Sequence, residues 1–170
     1  MKLNRILPFL LSVIVISVMG CGGPKTPPDL PKLYPCKIKV IQDDKPLEGA
    51  IIFVRHNSSY SYTGGTDANG VAVIKADGRW PGVPEGEHVI SISKIVEPTD
   101  LPDAPLSLLS PEGRKYMAQL AKGTKETVDP KFSDGKSSEL RLKVGKKAVN
   151  ETFDVGAAVA ISVADSSSSR

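Results

Sequence analysis

Several residue types that build cross-links and catalytic sites are scarce in this sequence. Its 170 residues include only two cysteines, Cys21 and Cys36, and two histidines, His56 and His88. Aromatic residues make up 5% of the chain. These counts exclude a disulfide framework and a metal site built from several histidines and cysteines. They also leave few aromatic rings to fill a core or to line a binding surface.

A strong charge of one sign is also missing. The chain has 22 basic and 19 acidic residues and a formal net charge of +3, and Lys2 and Arg5 lie among its first few positions. In the rest of the chain basic and acidic residues are interspersed, without the basic patch that binds a phosphate backbone. The sequence therefore predicts no nucleic-acid partner.

The sequence has no hydrophobic run long enough to span a bilayer. The apolar stretch from Ile6 to Val18 is interrupted by Pro8 and two serines, and it falls short of the roughly 20 residues that a spanning helix needs. Lys2 and Arg5 precede this stretch and small residues follow it. The arrangement is typical of a signal peptide over residues 1–20.

The tetrapeptide Val18-Met19-Gly20-Cys21 resembles the lipobox of bacterial lipoproteins, in which a small residue precedes a cysteine that becomes the new amino terminus and is diacylated. The resemblance implies that Cys21 carries a lipid anchor; the other reading is a plain secretory signal followed by a chance cysteine. Two or three acyl chains hold a protein on a bilayer where one does not. Gly22 stands where some lipoproteins retained in the inner membrane have aspartate. We therefore expect a lipid-anchored, extracytoplasmic protein of the cell envelope, in the outer membrane if the cell has one.

Proline content and polarity divide the rest of the chain. Residues 21–35 read CGGPKTPPDLPKLYP and predict a proline-rich, extended tether. Residues 36–156 carry the alternating apolar residues of a folded domain, and residues 97–130 form a proline-rich insertion within it. Residues 157–170 predict a C-terminal extension with a polar tail, DSSSSR.

Apolar residues recur at every second position in short runs separated by turn residues, which is the period of β-strands. Cys36 alternates with Ile38 and Val40, which favours a buried thiol over a reactive one. The run Ile51–Val54 is apolar at every position and predicts a strand covered on both faces, whereas residues 139–144 alternate cleanly and suit a sheet edge or a half-exposed position. The fold class predicted is all-β, an immunoglobulin-like or prealbumin-like antiparallel β-sandwich.

One segment of the insertion departs from the strand pattern. Ser110-Pro111-Glu112 supplies an N-cap, a proline suited to the first helical position and an acidic residue for the first turn. Met117, Leu120 and Ala121 then line one helix face, and Gly123 ends the run. The sequence predicts one short helix near residues 110–122.

Two connections have typical turn sequences. They are Asp43-Asp44-Lys45-Pro46 and Thr66-Asp67-Ala68-Asn69-Gly70, in which aspartate and asparagine side chains bond to nearby backbone N–H groups and glycine accepts a positive φ. Asp67 and Asn69 also match part of a calcium-binding loop. That alternative is weak, because no acidic residue occupies the distant ligand position and no flanking helices are predicted.

A family resemblance extends over residues 34–94. The successive segments YPCKIKVIQDDKPLEGAIIFV, TGGTDANGVAVI and GVPEGEHVISISK resemble carboxypeptidase regulatory-like, transthyretin-like domains of short bacterial lipoproteins. A later segment, VDPKFSDGKSSELRLKVGKKAVNETFDV, is similar to the two closing strands of such domains. The resemblance implies an antiparallel sandwich with Greek-key connections, and it brings no catalytic residues. The helix-bearing insertion departs from the family pattern.

The sequence offers little from which to build an enzyme. His88 shares the parity of Ile90 and Ile92 and is expected to face the core, whereas His56 follows a strand. Neither histidine has another histidine or an acidic pair at ligand spacing along the chain, and no GxSxG motif occurs. We therefore expect no catalytic residues, no metal and no cofactor.

Three aromatic residues are candidates for ligand binding. Tyr60 and Tyr62 lie in the loop HNSSYSYTGGT, residues 56–66, and Trp80 lies in a Gly-Arg-Trp-Pro turn. Aromatic rings beside hydroxyl groups suit contact with a sugar or a peptide. The alternative is that Trp80 and one tyrosine cap the end of the core.

Together these features predict a non-catalytic, lipid-anchored β-sandwich lipoprotein that serves as a binding or structural module of the cell envelope. Its expected partners are the membrane, through the anchor, and an envelope protein or a glycan. The alternatives are a glycan- or peptide-binding module that uses the 56–66 loop and, less favoured, an accessory domain of a hydrolase.

Replacing Cys21 tests the anchor. We expect Cys21→Ser to abolish incorporation of labelled palmitate and to move the protein out of the membrane fraction, because serine cannot form the thioether to the lipid. Immunoblots of fractionated cells measure this, with Cys36→Ser as the matched control that keeps both properties. An unchanged membrane fraction for Cys21→Ser would contradict the anchor.

Overall fold

The computed structural model describes residues 26–136 and 138–163. Cys21, the leader and the first part of the predicted tether lie outside the described residues, as does the whole polar tail, residues 165–170. Within the described ranges, no helix combines the length and the apolar character needed to cross a bilayer.

Short strands dominate the described chain, with two helices between them. The strands are β1 (Leu33–Tyr34), β2 (Cys36–Gln42), β3 (Lys45–Pro46), β4 (Ile51–Arg55), β5 (Tyr62–Gly65), β6 (Val71–Val73), β7 (Lys75–Ala76), β8 (Trp80–Pro81), β9 (Val83–Pro84), β10 (Gly86–Ser93), β11 (Ile95–Val96), β12 (Lys125–Glu126), β13 (Arg141–Val144), β14 (Val149–Asp154) and β15 (Ile161–Ser162). The helices are α1 (Pro111–Gly123) and α2 (Pro130–Ser133).

Two sheets form the body of the fold. One has six strands in the order β13-β10-β4-β5-β7-β8, and the other has four strands, with β14, β2 and β3 in order and β6 paired to β2. Every strand pair is antiparallel except β14 and β2, which run parallel from the pair Val149 and Cys36 to the pair Asp154 and Ile41. The predicted all-β sandwich with a short helix is confirmed, and the parallel pair is a feature that the sequence did not predict.

One apolar core lies between the two sheets. Its members include Ile38 and Val40 from β2, on one side, and Ile52, Ile90 and Leu142 from the six-stranded sheet, on the other. These side chains are at most 1% exposed, because they occupy alternate, inward positions of their strands. Burial of this kind is the main stabilising contribution to a small domain.

The prediction that Ile51–Val54 is covered on both faces is wrong. Ile52 and Val54 are buried, but Ile51 is 49% exposed and Phe53 is 48% exposed. The sandwich has only two layers, so the outward positions of β4 face solvent although they carry apolar residues. The prediction for residues 139–144 is confirmed, since β13 forms one edge of the six-stranded sheet.

The predicted helix is present, but its apolar face is not packed. The Ser110 side chain caps α1 by accepting a hydrogen bond from the Gly113 backbone N–H. Gly113 is the only buried residue of α1, and Met117 is 43% exposed. A Cβ on Gly113 would lie 2.3 Å from the Ser107 carbonyl oxygen, so the first turn of α1 lies directly against the loop that precedes it.

The amino-terminal segment and the insertion lie at opposite ends of the sandwich. Leu33 and Tyr34 pair with β9 immediately before β2 begins. At the other end of β2, the Gln42 side-chain amide donates a hydrogen bond to the Thr127 carbonyl oxygen of the insertion, at 2.8 Å. A strand of this length spans roughly 20 Å. The part of the insertion around Thr127 is therefore remote from the point where the amino-terminal segment joins the fold.

Adjacent isoleucines of β4 test which face is buried. We expect Ile52→Ala to lower the free energy of unfolding by about 2–5 kcal/mol, because it leaves a cavity in the core. Ile51→Ala serves as the matched control and should change stability by less than about 1 kcal/mol. Urea denaturation measures both, and equal losses in the two variants would show that the assignment of faces is incorrect.

Candidate functional site

Tyr62 does not offer its ring to a ligand, contrary to the expectation for the 56–66 loop. It is 2% exposed, and its register partners on β4 and β7, Val54 and Ala76, are buried as well. The residue occupies an inward position of β5, so its ring belongs to the core. Its hydroxyl group lies at the rim, where it accepts a hydrogen bond from the Ser58 hydroxyl at 3.4 Å.

Tyr60 and Trp80 pack against each other and against the amino-terminal segment. Their rings meet edge to face with centroids 6.2 Å apart. The Tyr60 hydroxyl donates to Asp29 Oδ1 at 2.7 Å, and Leu30 and Leu33 from the same segment pack on the core. The bond to Asp29 is the main cause that raises the pKa of Tyr60 to about 12. These contacts match the alternative in which the aromatic residues cap the end of the core.

One donor of this cap has no acceptor. The Trp80 Nε1 atom is buried, and in the described part of the chain no group accepts a hydrogen bond from it. Since a buried unpaired donor loses its bonds to water, it lowers the stability of the domain. The rest of the indole is half-buried and still contributes apolar contact.

The two histidines, which are far apart in the sequence, lie side by side. His56 follows β4 directly, and His88 occupies an inward position of β10, where its neighbour Val89 pairs with Arg55. Their ring centroids are 5.2 Å apart, and Tyr62 meets His56 edge to face at 5.7 Å. His88 is 3% exposed, so the prediction that it faces the core is confirmed.

The hydrogen bonding of His88 defines its tautomer. His88 Nε2 lies 3.0 Å from the Pro84 carbonyl oxygen, and because a carbonyl can only accept, Nε2 is the protonated nitrogen that donates. Among residues 26–136 and 138–163, no group of three or more histidine, cysteine, aspartate and glutamate side chains is arranged to hold a metal ion. The two rings pack against each other with centroids 5.2 Å apart.

The loop that carries Asp67 and Asn69 forms a tight turn, as predicted. Asp67 Oδ1 accepts hydrogen bonds from the backbone N–H groups of Asn69 and Val71, both at 2.9 Å. Gly70 has a φ of +71°, and a Cβ there would lie 2.5 Å from the Val40 carbonyl oxygen. The aspartate thus stabilises the turn, and the glycine allows it to approach β2.

Cys36 is a buried thiol, as predicted. It is 1% exposed and forms no disulfide. Burial, followed by the nearby charge of Glu151, raises the pKa of Cys36 to about 11. The thiol therefore stays protonated near neutral pH and is a poor nucleophile.

The outer face of the six-stranded sheet has a groove that is lined by aromatic, basic and hydroxyl-bearing side chains. This groove, of about 310 Å³, crosses β5, β4 and β10, and its lining includes Phe53, Arg55, Thr63, Val89, Ser91 and Gly135. We call it the outer groove. The register places Thr63, Phe53 and Ser91 in one row and Arg55 beside Val89 in the next. An exposed aromatic ring, an arginine and two hydroxyl groups thus share one concave surface.

A turn after α2 forms one wall of the outer groove. The Ser138 hydroxyl donates to the Ile90 carbonyl oxygen and fixes the end of this turn on β10. Gly135 within the turn approaches Arg55 so closely that an added Cβ would lie 2.9 Å from Arg55 Nη2 and 3.6 Å from Ser91 Oγ. The turn reduces the exposure of Ser91 to 7%.

A second groove continues this surface toward the other edge of the sheet. It measures about 490 Å³ and shares Thr63 with the outer groove. Gly65, Val73 and Lys75 are among its lining residues, and Val73 is 42% exposed. The two grooves together form a shallow, continuous path across the strands.

The residues of the outer groove did not emerge from the sequence as candidates. The one available signal was the run Ile51–Val54, which is apolar at every position and is followed by Arg55. In a sandwich of two layers such a run requires apolar side chains on the outer face. No sequence pattern predicts the wall at Gly135, because it forms by contact of Gly135 with Arg55 and Ser91, which are distant in the sequence.

No protein-family model, no curated protein and no solved structure matches this chain. The resemblance to carboxypeptidase regulatory-like domains therefore stays a prediction from the motifs.

The histidine pair predicts a loss of stability in acid. Burial, and secondly the neighbouring His88, lowers the pKa of His56 in the folded protein below its ordinary value of 6.5. The unfolded chain then binds the proton at a higher pH than the folded protein, so stability falls as the pH drops below about 6.5. We expect a lower midpoint of thermal unfolding at about pH 5 than at about pH 7.5, and a smaller difference in His56→Gln. Identical pH profiles for the two proteins would contradict the assignment.

Proposed function

We propose that this protein is a non-catalytic binding module of the cell envelope, held at a membrane by a lipid on Cys21, and that it holds its ligand on the outer face of the six-stranded sheet. The observation that carries the proposal is the outer groove. In that groove Phe53 is 48% exposed beside Arg55, on a sheet whose other face is packed into the core.

The apolar character of the outer face favours a binding role over a purely structural one. A two-layer sandwich is soluble when its outward positions are polar, and contiguous exposed apolar residues mark interaction surfaces. Ile51 and Phe53, at outward positions of β4, are 49% and 48% exposed. Their exposure has no role in the packing of the domain itself, so a ligand is the simplest reason for it.

The 56–66 loop is a weaker candidate for the binding surface. Tyr62 lies in the core, and the Tyr60 hydroxyl already bonds to Asp29 of the amino-terminal segment. A sugar or peptide would have to compete with Asp29 for the Tyr60 hydroxyl. The outer groove involves no such competition, and it lies on regular strands that fix the positions of its side chains.

Photochemical cross-linking in intact envelopes tests the binding face. We expect the full chain with p-benzoylphenylalanine in place of Phe53 to form a discrete cross-linked product, because a bound ligand would cover that position. The product is detected by its shift on an immunoblot and identified by mass spectrometry.

The matched control carries the same group in place of Lys39. Lys39 lies in β2 at an exposed outward position of the four-stranded sheet, so it tests whether products form on any exposed strand. Cross-links at both positions, or at neither, would refute a specific binding surface on the six-stranded sheet.

A further inference from the structure

The charges near Arg55 on the outer face are mostly positive. The outward positions of β4 and β13 carry Arg55, Arg141 and Lys143, and Glu87 of β10 is the acidic residue opposite Lys143. Farther along the face the charges are balanced, since Lys75 and Asp67 both line the second groove and the Glu126 carboxylate accepts a hydrogen bond from the outward Ser93. The whole chain has nearly equal numbers of basic and acidic residues, so the excess near Arg55 is local and does not come from the composition. A ligand with negative charge is complementary to it.

Arg55 has no acidic partner in the described part of the chain. There, the pair Lys131 and Asp129, at 4.0 Å, is the only one in which a basic nitrogen and a carboxylate oxygen come within that distance. The Arg55 side chain lies in the outer groove between the Gly135 turn and the β4 strand. A guanidinium group binds a carboxylate through two parallel hydrogen bonds, which is a strong and oriented contact.

The apolar part of the outer groove favours a peptide over a sugar. Sugars bind by stacking on aromatic rings, and Phe53 is the only aromatic residue on the outer face of β4 and β10. Its apolar neighbours, Ile51 and Val89, are aliphatic and suit the apolar side chains of a peptide.

A ligand cannot bind in the outer groove by pairing with β4 as an added strand. β4 is already paired on both sides, with β5 and with β10, so its backbone groups are occupied. The grooves run across these strands and not along an edge. A ligand in the outer groove is therefore bound by side chains, through charge and apolar contacts.

We propose that the outer groove binds an extended acidic segment of another envelope protein, with a carboxylate on Arg55 and an adjacent apolar side chain on Phe53. This inference rests on the proposed function, since it requires the outer face to be the binding surface. It adds the chemical class of the ligand and assigns a specificity role to Arg55.

Peptide arrays test the inference with the full chain, purified in detergent. The probes are decapeptides in which the central pair is Glu-Leu, Glu-Phe, Gln-Leu or Gln-Phe and the other positions are randomised, with oligogalacturonate as an acidic glycan probe. We expect the glutamate pools to bind and the glutamine pools to bind at least about ten-fold more weakly, as the loss of a charged hydrogen-bond pair implies.

Variants of Arg55 connect binding to the groove. Arg55→Gln should remove the preference for glutamate, and Arg55→Lys should retain only part of it, because lysine keeps the charge but not the two parallel bonds. Arg114→Gln removes an exposed arginine from α1, in the insertion, and should bind like the native chain. A preference for glutamate that survives in Arg55→Gln would overturn the assignment.

Other outcomes separate this inference from the proposed function. Binding of oligogalacturonate in place of peptides, lost in Arg55→Gln, would overturn the peptide and identify a glycan. Dimers that disappear in Phe53→Ala, seen by sedimentation, would overturn it in favour of a second copy of this chain. If no probe binds while the cross-link at position 53 forms, the inference fails and the proposed function stands; if the cross-link is absent as well, both fail.

Discussion

Contact between the inward side chains of two sheets holds this domain together. Cys36 is the one cysteine in the described chain, and it is a free thiol, so no disulfide contributes to stability there. The contact depends on the register of each strand, since a shift of one residue would turn Ile52 and Val54 outward and Ile51 and Phe53 inward. The same register that buries the core therefore determines which side chains form the outer groove.

Features that depend on neighbouring residues could be predicted from the sequence. The cap at Ser110, the turn at Asp67 and the burial of Cys36 each have a signal within a few positions, and the structure bears them out. Clean alternation also identified the edge strand that contains Leu142 and Val144. Together with the all-β class, these are the features that local sequence determines.

Features that depend on which strands become neighbours could not be predicted in this way. His56 and His88 meet because β4 pairs with β10, and no local pattern indicates that pairing. The apolar run Ile51–Val54 fits both a strand between two layers and a strand with one exposed apolar face. The number of layers is a property of the whole fold, and for that reason the candidate site appeared only in three dimensions.

The structure favours the six-stranded sheet over the 56–66 loop as the candidate binding surface. The aromatic residues of the 56–66 loop and of the Trp80 turn complete the end of the core and hold the amino-terminal segment through Asp29. Phe53 and Arg55, by contrast, are fixed by regular strands and remain open on one side. A surface fixed in this way loses little conformational entropy when a ligand arrives.

The parallel pairing of β2 with β14 has a mechanical consequence. The chain enters β2 at the end where the amino-terminal segment docks, and it leaves β14 at the opposite end of the sandwich. Tension between these two points pulls the strands past each other lengthwise. All the bonds between them must then break together, whereas strands peeled apart from one end lose their bonds one after another. The domain is thus built to resist stretching along the axis that joins its two ends.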